Sequence, residues 1–415
     1  MAADLRLSTF IRPGDTLMWG QSQAEPATLI RHLVAQRREI GRVRLFLGVG
    51  HGGRLLPEHA DAFDFLAYCG AGTNRKLAEA GLLDILPVHY SHLPRLIETG
   101  SLRIDVLMLQ VSPPDEQGRH SLGIAREYLL PALAGARAVL GEVNPAVPWT
   151  HGGPYLREAD FALLIPSDEP LRDEAARPPS AIDLAVVGNV AGLIEDGATL
   201  QVGIGAIPDA ALAQLAGRRD LGIHSGTMGD GVAALWESGA VTNARKSIDP
   251  GIAVTGLLLG GERIRRFVHR NPAIEMRGTG YTHDPQVLGR IERFAALNSA
   301  IEVDLTGQVN SEVAAGRYLG GIGGIVDFLR AAGASRGGVP IIALPSTGGG
   351  RSRIVPALSG PVTVPRSDAC VIVTEYGVAD LRGASLRERP ARLIAIAHPD
   401  HRESLARAAH AGERD

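Results

Sequence analysis

The sequence predicts an α/β protein made of two related, open and mainly parallel sheets with helices between the strands. Short runs rich in Val, Ile and Leu are repeatedly followed by Gly or Pro along the chain. Such runs are typical of strands buried on both faces of a parallel sheet. Segments with helical patterning lie between them, and alternating strands and helices indicate α/β architecture.

The positions of the individual strands and helices follow from the same pattern of apolar runs and turn residues. Apolar runs predict strands over residues 43–50, 106–112, 138–142, 161–165, 199–203, 252–259, 339–344 and 369–374. Helical patterning predicts helices over residues 25–38 and 208–215.

A polar, proline-rich stretch predicts the domain junction. Residues 166–180 contain Pro166, Pro170, Pro178 and Pro179 and lack apolar periodicity. We therefore expect an N-terminal domain over residues 1–175 and a C-terminal domain over residues 181–405.

The two halves also share a local pattern. Residues 14–20 and 197–203 each begin with glycine, continue as an apolar strand and end in glycine. A few residues later Pro26 and Pro208 stand where helices begin, a position where the missing N–H of proline costs nothing. We expect two similar domains that face each other across a cleft, which is a common place for a ligand.

Composition excludes several classes of function. The chain has 42 Lys and Arg against 45 Asp and Glu, and only 4% aromatic residues. This balance disfavours a nucleic-acid partner, which needs basic charge and stacking platforms. Two cysteines are too few for a disulfide framework. The first residues lack the apolar segment of a secretory signal, and the longest apolar stretch, 251–261, is about half of a membrane span. We expect a cytoplasmic protein with no membrane partner.

Three glycine-rich loops are candidates for ligand binding. Residues 203–209 follow a predicted strand and begin a helix, where free N–H groups suit a phosphate or an oxyanion. The third glycine of a dinucleotide fingerprint and the Gly-Lys-Ser/Thr of a P-loop are absent there, so a tight turn without a ligand is the alternative. Residues 320–328 have four glycines within five residues, which favours close approach of the backbone to a substrate. Residues 345–353 offer hydroxyls, N–H groups and two Arg to an anion, and a flexible surface loop is the alternative.

Histidine spacing gives little support for a metal site. His89 with His92, and His398 with His401, are three residues apart, but neither pair belongs to an HExxH pattern. We expect no bound metal. Ser225 beside His224 suggests a nucleophile and a base, although sequence neighbours rarely form such a pair.

A series of motifs makes the chain similar to a known family. In order along the chain they are residues 71–76, 110–115, 141–144, 203–209, 298–300, 303–309, 344–347, 352–356 and 374–377. Together they resemble the acetyl-CoA hydrolase/transferase family, within it the 4-hydroxybutyrate CoA-transferase branch, over nearly the whole chain.

The resemblance implies two related open α/β domains with coenzyme A bound between them. It implies that Gly203, Ile204, Gly205, Ala206 and Ile207 contact coenzyme A and help to form an oxyanion hole. By the same resemblance Gly323 and Gly324 supply a further backbone N–H, Asn298 lies near the thioester, and Ser346 and Thr347 belong to the binding loops. We expect acyl-CoA as the substrate, no other cofactor, and a homodimer or larger homo-oligomer.

The chain departs from this family at two positions. The family's ping-pong mechanism uses a glutamate that attacks the acyl-CoA and becomes a glutamyl-CoA thioester. That glutamate stands two residues after the histidine that corresponds to His224, and here the position is Gly226. Ile325 stands where the family usually has glutamine after two glycines. Because glycine has no side chain, the usual covalent route cannot pass through residue 226.

Three functions remain open on the sequence. The first is an acyl-CoA-processing enzyme that hydrolyses the thioester or transfers the acyl group without a glutamyl-CoA intermediate, with His224 as a candidate base. Asp230, Glu237 and Glu302 are the candidates for a substitute carboxylate in this first function, although a structural role is the better interpretation of Glu302 and Asp230 stands at a family-like position. The second is a ping-pong carboxylate CoA-transferase that uses another glutamate, hidden by a shift in the alignment. The third is a non-catalytic protein that binds acyl-CoA.

Overall fold

The fold was analysed in a computed structural model of the chain. The structure describes residues 5–167, 169–171, 173, 178–203, 205–368 and 370–412.

The first part of the chain forms seven strands and four helices. The strands are β1 (Thr16–Trp19), β2 (Val43–Leu47), β3 (Phe63–Ala67), β4 (Leu83–Ile85), β5 (Val106–Val111), β6 (Ala138–Val143) and β7 (Leu163–Pro166). The helices are α1 (Ala27–Ile40), α2 (Arg75–Glu79), α3 (Leu93–Glu98) and α4 (Leu129–Gly135). Short 3-10 turns span Leu7–Thr9, Ser22–Ala24, Pro57–Asp61, Tyr90–His92 and Glu158–Asp160.

These seven strands form one parallel sheet in the order β4-β3-β2-β1-β5-β6-β7. Every residue of β5 is buried, as expected for a strand that is covered on both faces. The order reverses between β1 and β5. In open α/β sheets a ligand commonly binds at the carboxyl ends of the strands beside such a reversal.

The second part of the chain contributes the remaining elements. Its helices are α5 (Ala181–Ala191), α6 (Ala206–Gln214), α7 (Asp230–Glu237), α8 (Glu262–Val268), α9 (Thr279–Thr282), α10 (Pro285–Leu288), α11 (Ile325–Ala334), α12 (Arg389–Ala395) and α13 (Pro399–Gly412). Its first strands are β8 (Thr199–Val202), β9 (Gly222–Ile223), β10 (Thr227–Gly229), β11 (Ala253–Thr255), β12 (Leu257–Leu259), β13 (Ile274–Met276), β14 (Phe294–Asn298), β15 (Glu302–Asp304) and β16 (Val309–Asn310). The others are β17 (Val313–Ala314), β18 (Arg317–Tyr318), β19 (Val339–Ala343), β20 (Thr347–Gly348), β21 (Arg351–Ser352), β22 (Ile354–Val355), β23 (Val371–Thr374) and β24 (Gly377–Asp380).

Six of these strands form a second sheet in the order β24-β23-β19-β14-β8-β9. All neighbours are parallel except β23 and β24, which are antiparallel. Here the strand order reverses between β8 and β14. The carboxyl ends of these two strands therefore mark the place in this sheet where a ligand site is expected.

The chain divides into two compact units. Unit 1 comprises residues 1–174, 255–282 and 317–323, and unit 2 comprises residues 175–254, 283–316 and 324–415. The division after residue 174 falls inside the predicted junction, whereas the segments 255–282 and 317–323 cluster with unit 1.

Each unit has its own apolar core. In unit 1, Leu29, Ile30 and Leu33 of α1 are buried together with strand residues such as Leu17 and Leu45. In unit 2, Phe328 and Leu329 of α11 are buried in the cluster that also holds Phe294, Ile342 and Ile372 from the sheet. Fully burying one such side chain contributes roughly 1.5–3 kcal/mol, so these faces hold the helices on the sheets.

The α/β class with largely parallel sheets is confirmed, and most predicted strands lie where the pattern places them. The run 252–259 is not one strand, because it is interrupted at Gly256 between β11 and β12. Helix α6 begins at Ala206, so Pro208 is its third residue rather than its first. Residue 369 of the predicted strand 369–374 lies outside the described residues. No helix in the described part of the chain has both the length and the apolar character to cross a bilayer.

Candidate active site

Several of the residues singled out in the sequence lie in unit 2 at the carboxyl ends of strands of its six-stranded sheet. Gly203 follows β8, Asn298 ends β14, His224 follows β9, and Ser346 comes soon after β19. Because parallel strands all end at the same edge of a sheet, residues far apart in sequence meet there.

Asn298 is held by a reciprocal amide pair. Its Nδ2 donates to Oε1 of Gln201 at 3.0 Å, and Nε2 of Gln201 donates to Oδ1 of Asn298 at 3.3 Å. Both side chains are buried. Gly203 packs directly on this pair, since a Cβ at residue 203 would lie 3.2 Å from Oδ1 of Asn298. The pair fixes the amide of Asn298 beside the loop of residues 203–209, which we call the glycine loop.

The glycine loop leads from β8 into α6. The N–H of Gly203 donates to the carbonyl of Leu297 at 2.8 Å, which ties the start of the loop to β14. Gly205 precedes the helix with φ of +130°, a conformation that residues with a side chain rarely adopt. Ala206 and Ile207 are the first two residues of α6, where backbone N–H groups have no partner within the helix. Ile204 lies outside the described residues.

The segment after β9 is fixed by backbone contacts. The N–H of His224 donates to the carbonyl of Leu200, and the His224 side chain is fully buried with its ring edge toward Phe294. The hydroxyl of Ser225 lies 3.2 Å from both the N–H and the carbonyl oxygen of Val202. In this conformation the Ser225 hydroxyl contacts the protein's own backbone, and the His224 ring packs in the core.

Gly226 is buried against the imidazole of His283. A Cβ at residue 226 would lie 2.8 Å from Cε1 and 2.9 Å from Nε2 of that ring. A Cβ at Gly324 would meet the same ring, at 2.5 Å from Cδ2 and from Nε2. Two glycines that are distant in sequence therefore form a cradle for one imidazole, which we call the imidazole cradle.

The environment of His283 keeps its ring neutral. The ring is buried and packs on Phe328 with their centroids 4.5 Å apart. Burial, reinforced by the neighbouring His224, lowers the pKa of His283 from 6.5 to about 3. The space beside Gly226 therefore contains an uncharged imidazole at physiological pH.

The loop after β19 is anchored by a carboxylate. Ser346 is buried; its N–H donates to Oε2 of Glu375 at 2.8 Å and its hydroxyl donates to Oε1 at 2.6 Å. Thr347 begins β20 and is half-buried. In unit 1, the carbonyl of Gly323 accepts a hydrogen bond from the N–H of Tyr90 at 2.9 Å.

The carboxylates considered as replacements for the missing glutamate occupy different settings. Both oxygens of Glu302 accept from the hydroxyl of Ser359, and Oε1 also accepts from Nδ2 of Asn310. Glu302 is therefore part of a closed polar network. Asp230 is the first residue of α7, and Glu237 is its exposed last residue.

The described acidic, histidine and cysteine side chains bear on whether a metal ion could bind. Within the described residues, no three His, Cys, Asp or Glu side chains are grouped closely enough to hold a metal ion. The histidine pairs instead make ring contacts, with centroids 5.3 Å apart for His89 and His92 and 5.9 Å apart for His398 and His401.

Sequence reasoning missed His283, Gln201 and Glu375. Glu375 lies in the motif 374–377 and Gln201 in the repeated pattern 197–203, but neither residue was itself a predicted site residue. His283 stands in no motif, and only the fold brings its ring to Gly226. The one available signal was Gly226 itself, because a lost side chain in a buried place has to be replaced by another group.

Unit 1 contains a second buried polar cluster, which no sequence motif predicts. Oε1 of Glu127 accepts from the hydroxyl of Tyr90 at 2.6 Å and from Nε2 of Gln21 at 2.7 Å. The hydroxyl of Tyr68 donates to Oε1 of Gln21 at 2.7 Å. Burial raises the pKa of Glu127 from 4.5 to about 8, against the opposing effect of these hydrogen bonds.

Two family models match this chain and define its class. The N-terminal domain model of the acetyl-CoA hydrolase/transferase family matches residues 5–156, and the C-terminal domain model of that family matches residues 260–409. The chain belongs to the acetyl-CoA hydrolase/transferase family.

Relatives named as CoA-transferases match this chain over most of its length. The chain is 38% identical to the 4-hydroxybutyrate coenzyme A transferase of Clostridium kluyveri, over 94% of this chain and 92% of that protein. It is 34% identical to the succinyl-CoA:cyclohexane-1-carboxylate CoA transferase of Geobacter metallireducens, over 99% of this chain and 94% of that protein. Acetyl-CoA hydrolases match a shorter part: that of Eremothecium gossypii is 32% identical over 52% of this chain and 42% of that protein.

Solved structures agree with this placement. RipA from Yersinia pestis superimposes with a TM-score of 0.93 at 32% identity, over 98% of this chain and 96% of RipA. The 4-hydroxybutyrate CoA-transferase from Porphyromonas gingivalis superimposes with a TM-score of 0.81 at 34% identity, over 99% of this chain and 96% of that chain. The protein is thus a CoA-thioester transferase or hydrolase by homology.

Proposed function

We propose that this protein processes acyl-CoA thioesters by hydrolysis or by direct acyl transfer, without a glutamyl-CoA intermediate. The observation that carries the proposal is the packing of the neutral imidazole of His283 against Gly226, the residue that the family resemblance assigns to the nucleophile position. The family's usual covalent route would need a carboxylate at this position.

The binding elements of the family are proposed to act as they do elsewhere in it. Gly203, Gly205, Ala206 and Ile207 contact coenzyme A, and N–H groups at the start of α6 stabilise the oxyanion that forms on the thioester carbonyl. The position of Gly205 before α6, with φ of +130°, supports this role, because the first N–H groups of a helix have no partner within the helix.

Other parts of unit 2 complete the proposed site. Asn298, held by Gln201, is proposed to orient the thioester, and the loop of Ser346 and Thr347 and the N–H of Gly324 are proposed to hold coenzyme A and the oxyanion. We further propose that the protein works as a cytoplasmic homo-oligomer.

A test of the reaction class separates the three candidate functions. Purified protein is incubated with a panel of acyl-CoAs, and free thiol is followed with and without carboxylate acceptors. Thiol release that does not need a carboxylate acceptor supports the proposal. No turnover of any acyl-CoA, with calorimetric binding retained, would contradict it and indicate a non-catalytic binder.

Carboxylate-dependent CoA transfer is the second candidate. Its support is the set of relatives whose names describe CoA-transferases, among them one that is 38% identical over 94% of this chain. It predicts exchange of coenzyme A between two acids with little net thiol release. Mass spectrometry after borohydride reduction would then locate a modified Glu or Asp, and Asp230 and Glu237 are the first positions to inspect.

A further inference from the structure

The imidazole cradle explains why residue 226 has no side chain. Gly226 is not among the glycines with positive φ, so a left-handed backbone is not what requires glycine here. The obstacle is steric, because the Cβ position lies 2.8 Å from a ring carbon of His283, whereas carbon atoms pack at about 3.5–4.0 Å. Gly324, with φ of −95°, is glycine for the same reason.

The imidazole has little freedom to move aside. His283 is only 4% exposed and is confined on one side by Phe328, whose own ring packs on Phe294 with centroids 6.3 Å apart. Phe328 also borders both glycines, at 3.6 Å from the Cβ position of Gly226 and 3.1 Å from that of Gly324. A side chain at residue 226 would therefore have to displace a ring inside a packed core.

We infer that Gly226 and His283 form a coupled pair, in which the imidazole takes the volume of a side chain at position 226 and thereby keeps a carboxylate nucleophile out of the site. His283 is thus a specificity-determining residue for the reaction class, an inference whose chemical part rests on the proposed function. Restoring glutamate at residue 226 is not sufficient to restore covalent catalysis; the imidazole has to be removed as well.

The reaction that the pair excludes is nucleophilic attack on acyl-CoA by a carboxylate at residue 226. A glutamate carboxylate at residue 226 would bond to the acyl carbon of acyl-CoA as the carbon–sulfur bond breaks and coenzyme A leaves as the thiolate. The thiolate would then attack the glutamyl carbonyl of this anhydride and release the free carboxylic acid as its anion. The stable product on the protein is a glutamyl-CoA thioester, which is detected as added mass.

The chemical test compares four variants: Gly226→Glu, His283→Ala, the two combined, and Gly226→Gln combined with His283→Ala. Each is incubated with acetyl-CoA, and peptide mass spectrometry measures coenzyme A attached to residue 226. We expect the adduct on the Gly226→Glu, His283→Ala protein at about ten times or more the level on Gly226→Glu alone. The glutamine protein is the matched control and should carry none. Equal adduct on both glutamate proteins, or none on the folded double variant, would overturn the inference.

A structural test needs no ligand. Gly226→Ala should lower the melting temperature by several degrees in the wild-type background and by much less in the His283→Ala background, since the clash is then absent. Gly217→Ala is the control, because a Cβ there has no neighbour within 4 Å. Equal effects of Gly226→Ala in both backgrounds would refute the coupling, and this result is decisive even when the glutamate variants fail to fold.

The two tests separate failure of the inference from failure of the proposed function. If Gly226→Ala lowers the melting temperature equally in both backgrounds, the coupling of Gly226 and His283 is refuted, whatever the protein does with acyl-CoA. We call a difference between the two backgrounds thermal coupling. Thermal coupling in a protein that releases no thiol from any acyl-CoA would leave the pair intact and refute the function.

Discussion

Replacing Glu127 by glutamine should change how the stability of unit 1 depends on pH. The carboxyl group has a pKa of about 8 in the folded protein against 4.5 without the fold, because it is fully buried and only Oε1 has hydrogen-bond donors. Oε2 has no partner among the described residues. The group therefore holds its proton in the folded state over a pH range in which the unfolded chain has lost it.

The direction and size of the pH dependence that Glu127 causes follow from proton linkage. A raised carboxyl pKa contributes stability that is complete below pH 4.5 and is lost as the pH rises through about 8. The loss is about 1.4 kcal/mol for each pH unit inside this window, so about 4 kcal/mol is the upper value between pH 5 and pH 8. Glutamine is nearly isosteric and does not titrate, so Glu127→Gln lacks this loss.

The assay is thermal unfolding of both proteins across this pH range. The melting temperature of Glu127→Gln should rise relative to wild type from low to high pH, at about 2–4 °C for each kcal/mol if unit 1 unfolds on its own. The exposed Glu116, changed to glutamine, is the control and should show no such trend. A constant difference between wild type and Glu127→Gln at all pH values would refute the reasoning.

Three further predictions concern unit 2. The pKa of His283 is lowered to about 3, so the stability that its neutral ring contributes is complete above pH 6.5 and is lost as the pH falls toward 3. In thermal melts His283→Gln should therefore lose less stability in acid than wild type, by up to about 1.4 kcal/mol per pH unit. Identical acid sensitivity of the two proteins would contradict this. Asn298→Ala leaves the buried amide of Gln201 without its partner and should cost about 1–3 kcal/mol in urea unfolding, whereas replacing both by leucine should recover most of it. Gly205→Ala forces a side chain to φ of +130°, which should cost about 1–3 kcal/mol and raise KM for acyl-CoA; an unchanged KM would exclude the loop from binding.

Much of the fold was readable because buried parallel strands have a strong local signal. The runs that became β5, β8 and β19 are apolar, short and bounded by turn residues, so pattern alone locates them. The split of the run 252–259 was not readable, because Gly256 breaks the strand without any change in hydrophobicity.

The site was readable in part. Gly203 and Asn298 stand at strand ends, and the fold brings such ends together, so their meeting followed from topology. His283 carried no sequence signal: it precedes a short helix and reaches Gly226 only through tertiary packing. Glu127 was equally invisible, because a buried carboxyl and an exposed one look the same in a sequence.

The most direct test of the central claim follows the oxygen atoms in a single turnover. Enzyme in excess is mixed with an acyl-CoA in water labelled with oxygen-18, and the released acid and the protein are analysed by mass spectrometry. Direct attack by water predicts label in the acid from the first turnover and none in any Glu or Asp of the protein. An unlabelled first product together with label in a protein carboxylate would show a covalent acyl-enzyme route and contradict the account.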